Sequence, residues 1–214
     1  MWEVADLKEA MYKALELRQG SALTGKFARS SVAVCGLGGL GSHVALALAR
    51  AGIGRLDLFD FDVVDLSNLN RQQYKVSQVG LCKTEALREN ILEVAPYCDI
   101  RIHAGRLTEE NVPELLADAD VVCEAFDRPE EKAMLVDAVT EHFPKKYLVC
   151  ASGMAGLFPA NMIRTRRISR RLYLCGDEVS ELVSGSGLMA SRVMLCAAHQ
   201  AHMILRILAG ELEP

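Results

Sequence analysis

The sequence predicts an α/β protein: a mainly parallel sheet with helices on both faces and antiparallel strands at its C-terminal end. Three observations predict it. Half of the 214 residues are hydrophobic, enough for one full core and a single domain over 1–214. Short β-rich apolar runs alternate with helical periodicity from Ser30 to Gly153, as expected for strands laid parallel by helical crossovers. A glycine-rich turn, "GLGGLG", closes the first of these runs.

The elements follow in order. Residues 3–19 carry the apolar spacing of a helix that ends at Gly20. "SSVAVCG" reads as a strand, "SHVALALARAG" as a helix closed by Gly52, and "RLDLFD" as the next strand, which together make a Rossmann-like βαβ unit. "CKTEALRENILEVAP" is a helix stopped by Pro96, "DIRIHAG" a strand, "VPELLADA" a helix and "DVVCEAF" a buried strand. "PEEKAMLVDAVTEHF" and "KKYLVCASG" add a helix and a strand, and "LFPANMIRTRRISRRLYL" turns hairpin-like. The apolar end, "SRVMLCAAHQAHMILRILAGELEP", is interrupted by Arg192, His199, Gln200, His202 and Arg206. It therefore reads as a packed helix and not a membrane span.

Composition excludes several roles. A net charge of −4 and a pI near 5.8 give no basic field for a nucleic-acid backbone, so nucleic acid is not expected as the primary partner. The start lacks the apolar core of a signal peptide, and a cytoplasmic location is expected. Seven cysteines stand singly with no CxxC pair. No zinc site is expected, and most of these thiols read as small core residues in a reducing compartment.

In such a sheet the ligand lies beyond the carboxyl ends of the strands, where the glycine turn falls. Gly36, Gly38, Gly39 and Gly41 let the backbone approach phosphates, with a helix N-terminus near Ser42 behind them. Asp60, ending the second strand, suits ribose hydroxyls. To this point an NAD-binding turn fits equally well. Asp62, Asp65, Asn68, Asn70, Arg71 and Gln72 follow, then Lys83 at the head of a helix. Hydride transfer has no use for Arg71 and Lys83 at the phosphates, whereas breaking a phosphate chain does. Asp127, just past a buried strand, is placed for Mg²⁺. Local alternatives stay open: Asp62, Asp65 and Asn68 as turn caps, and Asp127 as the N-cap of the helix led by Pro129. His199 and His202 lack a third ligand and read as core or interface residues.

The combination of "GLGGLG", "DFD", "NLNRQ", Lys83 and Asp127 resembles the ThiF/MoeB/HesA group, relatives of ubiquitin-activating enzymes. The likeness is strong from Gly20 to Gly153 and looser beyond. "NLNRQQY", "CGDEVSE" and "CAAHQAHMILR" look most like the short ThiF-type adenylyltransferases of the sulfur carrier ThiS. The resemblance implies ATP and Mg²⁺ as ligands. Its substrate is the C-terminal Gly-Gly carboxylate of a small ubiquitin-like sulfur carrier, converted to an acyl-adenylate with release of pyrophosphate, in thiamine thiazole synthesis. It also implies that the four glycines cradle the nucleotide and Asp60 takes the ribose. Asn68, Arg71, Gln72 and Lys83 then contact phosphates, and Asp127 holds magnesium. No general base is needed, because the carrier carboxylate is already ionised.

Many relatives carry two CxxC pairs for zinc, and this chain has neither. Some use a downstream cysteine in sulfur transfer from a donor protein. Cys175, in "LYLCGDEVSE", is the candidate, with Arg170 and Arg171 as a positive setting. The group also forms homodimers in which an N-terminal arginine reaches the neighbour's site; Arg18 is the candidate. The same chemistry on a molybdopterin carrier, a peptide or a tRNA base fits these residues too. An NAD-dependent oxidoreductase and an inactive scaffold subunit fit less well.

Overall fold

A computed structural model describes residues 4–180 and 187–214; Glu3 and Glu181, part of the expected helix start and of "CGDEVSE", lie outside them. Among the described residues seven strands form one sheet in the order β3-β2-β1-β4-β5-β7-β6. They are β1 (Ser31–Cys35), β2 (Arg55–Asp60), β3 (Asp99–Ala104), β4 (Val121–Glu124), β5 (Tyr147–Ala151), β6 (Arg164–Arg167) and β7 (Leu172–Gly176). All pair in parallel except β6, which lies antiparallel on β7. The expected antiparallel end is therefore one reversed edge strand, carrying Arg164, Arg166 and Arg167.

Among the described residues seven α-helices connect or flank the strands: α1 (Val4–Gln19), α2 (Ser21–Ala28), α3 (Gly39–Arg50), α4 (Lys83–Leu92), α5 (Val112–Leu115), α6 (Pro129–His142) and α7 (Ala190–Ala209). Strand alternation sorts the core into two layers. Val32, Val34, Leu56, Leu58 and Cys123 face α3, α4 and α7. Ala33, Cys35, Phe59, Val122 and Cys150 face α5 and α6.

Local chemistry sets the boundaries. Gly52 adopts φ +94° and Gly210 φ +99°, left-handed conformations that end α3 and α7 without a Cβ penalty. Pro129 opens α6, where its missing N–H costs nothing. The glycine-turn helix starts at Gly39, one turn earlier than Ser42. The helix read over "VPELLADA" shrinks to Val112–Leu115, because Asp120 is drawn to the start of β1, accepting from the Ser31 amide at 2.8 Å and its hydroxyl at 3.0 Å. Helix α2 is an addition. Gly25 weakens its propensity, and tertiary contacts hold it instead: Thr24 and Phe27 are buried, and Lys26 Nζ donates to the Ala209 carbonyl at 2.7 Å.

From β1 the chain winds outward through β2 to β3, then crosses back to β4 and on to β5. That reversal leaves a crevice between the carboxyl ends of β1 and β4, the place where open α/β sheets bind ligands. Among the described residues no helix is long and apolar enough to cross a membrane.

Candidate nucleotide site

A cleft of about 620 Å³ opens at that crevice, lined among others by Gly36, Gly38, Gly39, Asp60, Asp62, Asn68, Arg71, Gln72, Lys83 and Asp127. Residues far apart in sequence thus meet because each sits at the carboxyl end of a parallel strand or on the segment that leads from it into the next helix.

The glycines divide into two jobs. Gly36 has φ +92°, and a Cβ there would come within 2.7 Å of the Ala125 carbonyl oxygen. Gly41 does not line the cleft. A Cβ on it would lie 1.8 Å from the Gly36 carbonyl oxygen, so it is needed for the close seating of α3 on the turn. Gly38 and Gly39 carry the backbone that faces the cleft, at the N-terminal end of α3. The turn is braced from below: Tyr74 Oη donates to the Leu37 carbonyl at 2.8 Å, and Ser42 Oγ to the Gly38 carbonyl at 2.7 Å.

Asp60 is 9% exposed. Its Oδ2 accepts from the Leu37 amide at 2.7 Å and its Oδ1 from the Asp62 amide at 2.8 Å. Burial pushes its carboxyl up, opposed by Lys83 and the two amides. Asp60 therefore fixes the glycine turn, with lone pairs left for a hydroxyl donor. Lys83, 6% exposed, reaches Asp62 Oδ2 at 2.7 Å, so Asp62 is an ion-pair partner and not a turn cap. Asp65 is the cap: its Oδ1 accepts from the Ser67 amide at 2.8 Å, while Asn68 Oδ1 accepts from the Asp65 amide at 3.0 Å.

The Arg71 guanidinium rests on neutral oxygens, donating to the Ser67 carbonyl at 3.1 Å and Asn70 Oδ1 at 2.8 Å. Its own carbonyl lies 3.2 Å from His43 Nε2, and burial pushes the His43 imidazole down. Gln72 is 8% exposed, and its Oε1 has no hydrogen-bond partner. A buried orphan of this kind at a cleft wall is expected of a ligand contact.

Asp127 is exposed at the cleft edge. The N-cap of α6 is Arg128, with no side-chain cap bond, so the capping role considered for Asp127 falls away. Among the described residues no group of three or more His, Cys, Asp or Glu could hold a metal unaided. Magnesium commonly takes one or two carboxylates and completes its shell with substrate phosphates and water, and Asp127 beside a phosphate cleft fits that donor set.

Two expected residues stand elsewhere. Arg18 is exposed in the last turn of α1 and does not line the cleft. Cys175 is corrected: it is fully buried in β7, its thiol 3.5 Å from Thr165 Oγ1, and burial pushes it up to about 11. Strand alternation turns it to the core with Tyr173, while Arg171 stacks on Tyr147 at 4.2 Å. It has neither the exposure nor the positive setting of a reactive thiol.

Other cleft residues were not anticipated. Phe61 carries the Arg106 guanidinium 4.1 Å above its ring, and Arg106 pairs with Glu131. Lys132, which lines the cleft, pairs with Glu124, which is buried behind it. An acid inside the apolar run "DVVCEAF" was the available signal.

A profile of the ThiF family matches residues 13–214. The chain belongs to the ThiF family. Among curated relatives, it is 40% identical over 114 residues to "Adenylyltransferase and sulfurtransferase MOCS3" of Drosophila yakuba, covering 53% of this chain and 25% of that protein. It is 35% identical over 114 residues to the "Probable molybdopterin-synthase adenylyltransferase" of Porphyra purpurea, covering 53% and 30% respectively. This ThiF-family chain thus spans less than a third of the length of either relative. Among solved structures, E. coli tRNA N6-threonylcarbamoyladenosine dehydratase TcdA in complex with ATP superposes with a TM-score of 0.87 at 22% identity, over 98% of both chains. E. coli MccB with AMPCPP and MccA gives 0.70 at 21% identity, over 95% of this chain and 62% of that one. At these identities the likeness speaks for the ThiF fold alone.

Proposed function

We propose that this chain is an ATP-dependent adenylyltransferase that activates the C-terminal Gly-Gly carboxylate of a small ubiquitin-like sulfur carrier, a ThiS-like protein in thiamine thiazole synthesis. One observation carries the reading: Arg71, Lys83 and Asp127 converge with the glycine turn on a single cleft. The sequence relatives named as adenylyltransferases support the same chemistry.

In this reading the turn amides and the N-terminus of α3 receive phosphate oxygens, and Asp60 accepts from the ribose. Gln72 adds a contact from the buried wall. The carrier carboxylate attacks the α-phosphorus while the bond to pyrophosphate breaks. Arg71 and Lys83 neutralise the charge gathering on the leaving group, so Lys83 moves from Asp62 toward phosphate. Magnesium, when bound at Asp127, would shield the phosphate oxygens. Arg18 acts in a homodimer, from the neighbouring subunit. With Cys175 buried, sulfur is delivered to the acyl-adenylate by another protein.

ATP–pyrophosphate exchange measured with a ThiS-like carrier, a molybdopterin-synthase carrier, a peptide and tRNA tests this. Exchange driven by the ThiS-like carrier is expected. Exchange driven by another substrate reassigns the acceptor, and ATP binding with no exchange under any of them overturns the activity.

A further inference from the structure

Glu124 ends β4 and is 1% exposed. A carboxylate so buried is costly unless its oxygens are met. Here Oε1 accepts from Lys132 Nζ at 2.8 Å and from the Phe126 amide at 2.8 Å, and Oε2 accepts from Lys132 Nζ at 3.0 Å. Lys132 Nζ also donates to the Ala151 carbonyl at 2.9 Å. Those three contacts occupy all its donors, so Lys132 lines the cleft without a hydrogen to offer a ligand. From the other face, Gln200 of α7 donates to the Glu124 carbonyl at 2.8 Å.

The pair therefore ties together the end of β4, the first turn of α6 and the end of β5. The loops leaving those ends are Ala125–Arg128, which contains Asp127, and Ser152–Ala155; both line the cleft. The first is also held at its start, where the Ala125 amide donates to the Cys35 carbonyl at 2.8 Å. Its Phe126 amide is satisfied by the Glu124 side chain, and α6 begins without a side-chain cap. Apolar pairs of similar volume often match a buried ion pair in stability, but here they would leave the Phe126 amide and the Ala151 carbonyl without these partners. What an ion pair adds is direction, because its hydrogen bonds fix where each loop departs.

We propose that Glu124 and Lys132 are positioning residues that hold Asp127 in register with a magnesium-bound nucleotide. This rests on the assignment of Asp127 as the magnesium contact. Neither residue touches the reacting atoms.

The test compares Glu124→Leu/Lys132→Met, which removes both charges and the acceptor of the Phe126 amide, with Asp127→Asn and the parent chain. ATP affinity is measured by equilibrium binding without metal and across a magnesium titration, after thermal unfolding confirms a folded chain. The double variant is expected to bind metal-free ATP like the parent while its magnesium midpoint rises about tenfold, the scale seen when a supporting partner of a ligand is lost. A midpoint within about twofold of the parent overturns the inference. If Asp127→Asn shifts the midpoint and the double variant does not, only the positioning role fails. If Asp127→Asn itself leaves the midpoint unmoved, the metal assignment fails and takes the positioning role with it. Glu124→Asp keeps the charge and shortens the reach by one methylene, giving the same comparison should the double variant not fold.

Discussion

At the scale of single residues, the cleft holds its cations in different states of readiness. Lys83 is already committed to Asp62, whereas the Arg71 head rests on neutral oxygens that it can leave for a phosphate. Arg71→Ala is therefore expected to lower carrier-dependent ATP–pyrophosphate exchange by about 10²–10³ with unfolding unchanged, because the charge it meets develops only in the transition state. A rate close to the parent's would remove it from the mechanism. Thiols give a second expectation. Cys82 is the exposed cysteine, while the other six are buried. At pH 8, with the Cys175 thiol pushed up to about 11, its thiolate fraction is on the order of 10⁻³, and that fraction grows only as pH rises toward 11. Alkylation of the native chain at pH 8, read by peptide mass spectrometry, should mark Cys82 and spare Cys175; rapid labelling of Cys175 would contradict its burial. This site was misread for a local reason. The polar residues beside it in sequence, Asp177 and Glu178, lie past the end of the strand, while the strand itself turns the thiol inward.

At the scale of elements, legibility followed the hydrogen-bonding demands of each piece. The turn between β1 and α3 was readable because only glycine fits the contacts at Gly36 and Gly41. That Arg71, Lys83 and Asp127 would line one cleft was readable from their places, two in the polar stretch from β2 to the head of α4 and one just past β4. Helix α2 was not, since α7 and the domain around it supply its stability. Glu124 and Lys132 were hidden too: their pairing joins β4 to α6 and β5, and no periodicity encodes such a contact. The seating of α3 makes its own prediction. Gly41→Ala must push α3 from the turn, at about 1–3 kcal/mol or more, and should weaken ATP binding together with thermal stability. Gly105→Ala is the control for stability alone, since a Cβ there meets nothing within 4 Å but Gly105 lines the cleft. Equal melting temperatures for the two would refute the packing role of Gly41.

At the scale of the whole molecule, one rim of the sheet gathers every loop of the cleft, while Arg18 lies outside it on α1. If Arg18 completes the cleft of a neighbouring subunit, chains carrying Arg18→Ala and chains carrying Arg71→Ala should each be inactive alone and recover activity when mixed. Each hybrid dimer then holds one intact cleft of two, so random exchange restores roughly one quarter of parent activity. No recovery after subunit exchange, verified by mass measurement of the hybrids, would confine the reaction to a single chain. The opposite margin of the fold has a colloidal consequence. An edge strand leaves a row of amides and carbonyls open to any passing strand, the geometry from which fibrils grow. On β6 that row is set among Arg164, Arg166 and Arg167, of which Arg166 pairs with Glu178 and Arg167 with Glu213, so a second copy approaching edge to edge would have to desolvate a lining of long charged side chains. The cost of stripping water from those charges thus opposes edge-to-edge growth of the sheet, a guard against self-templated aggregation placed well away from the chemistry.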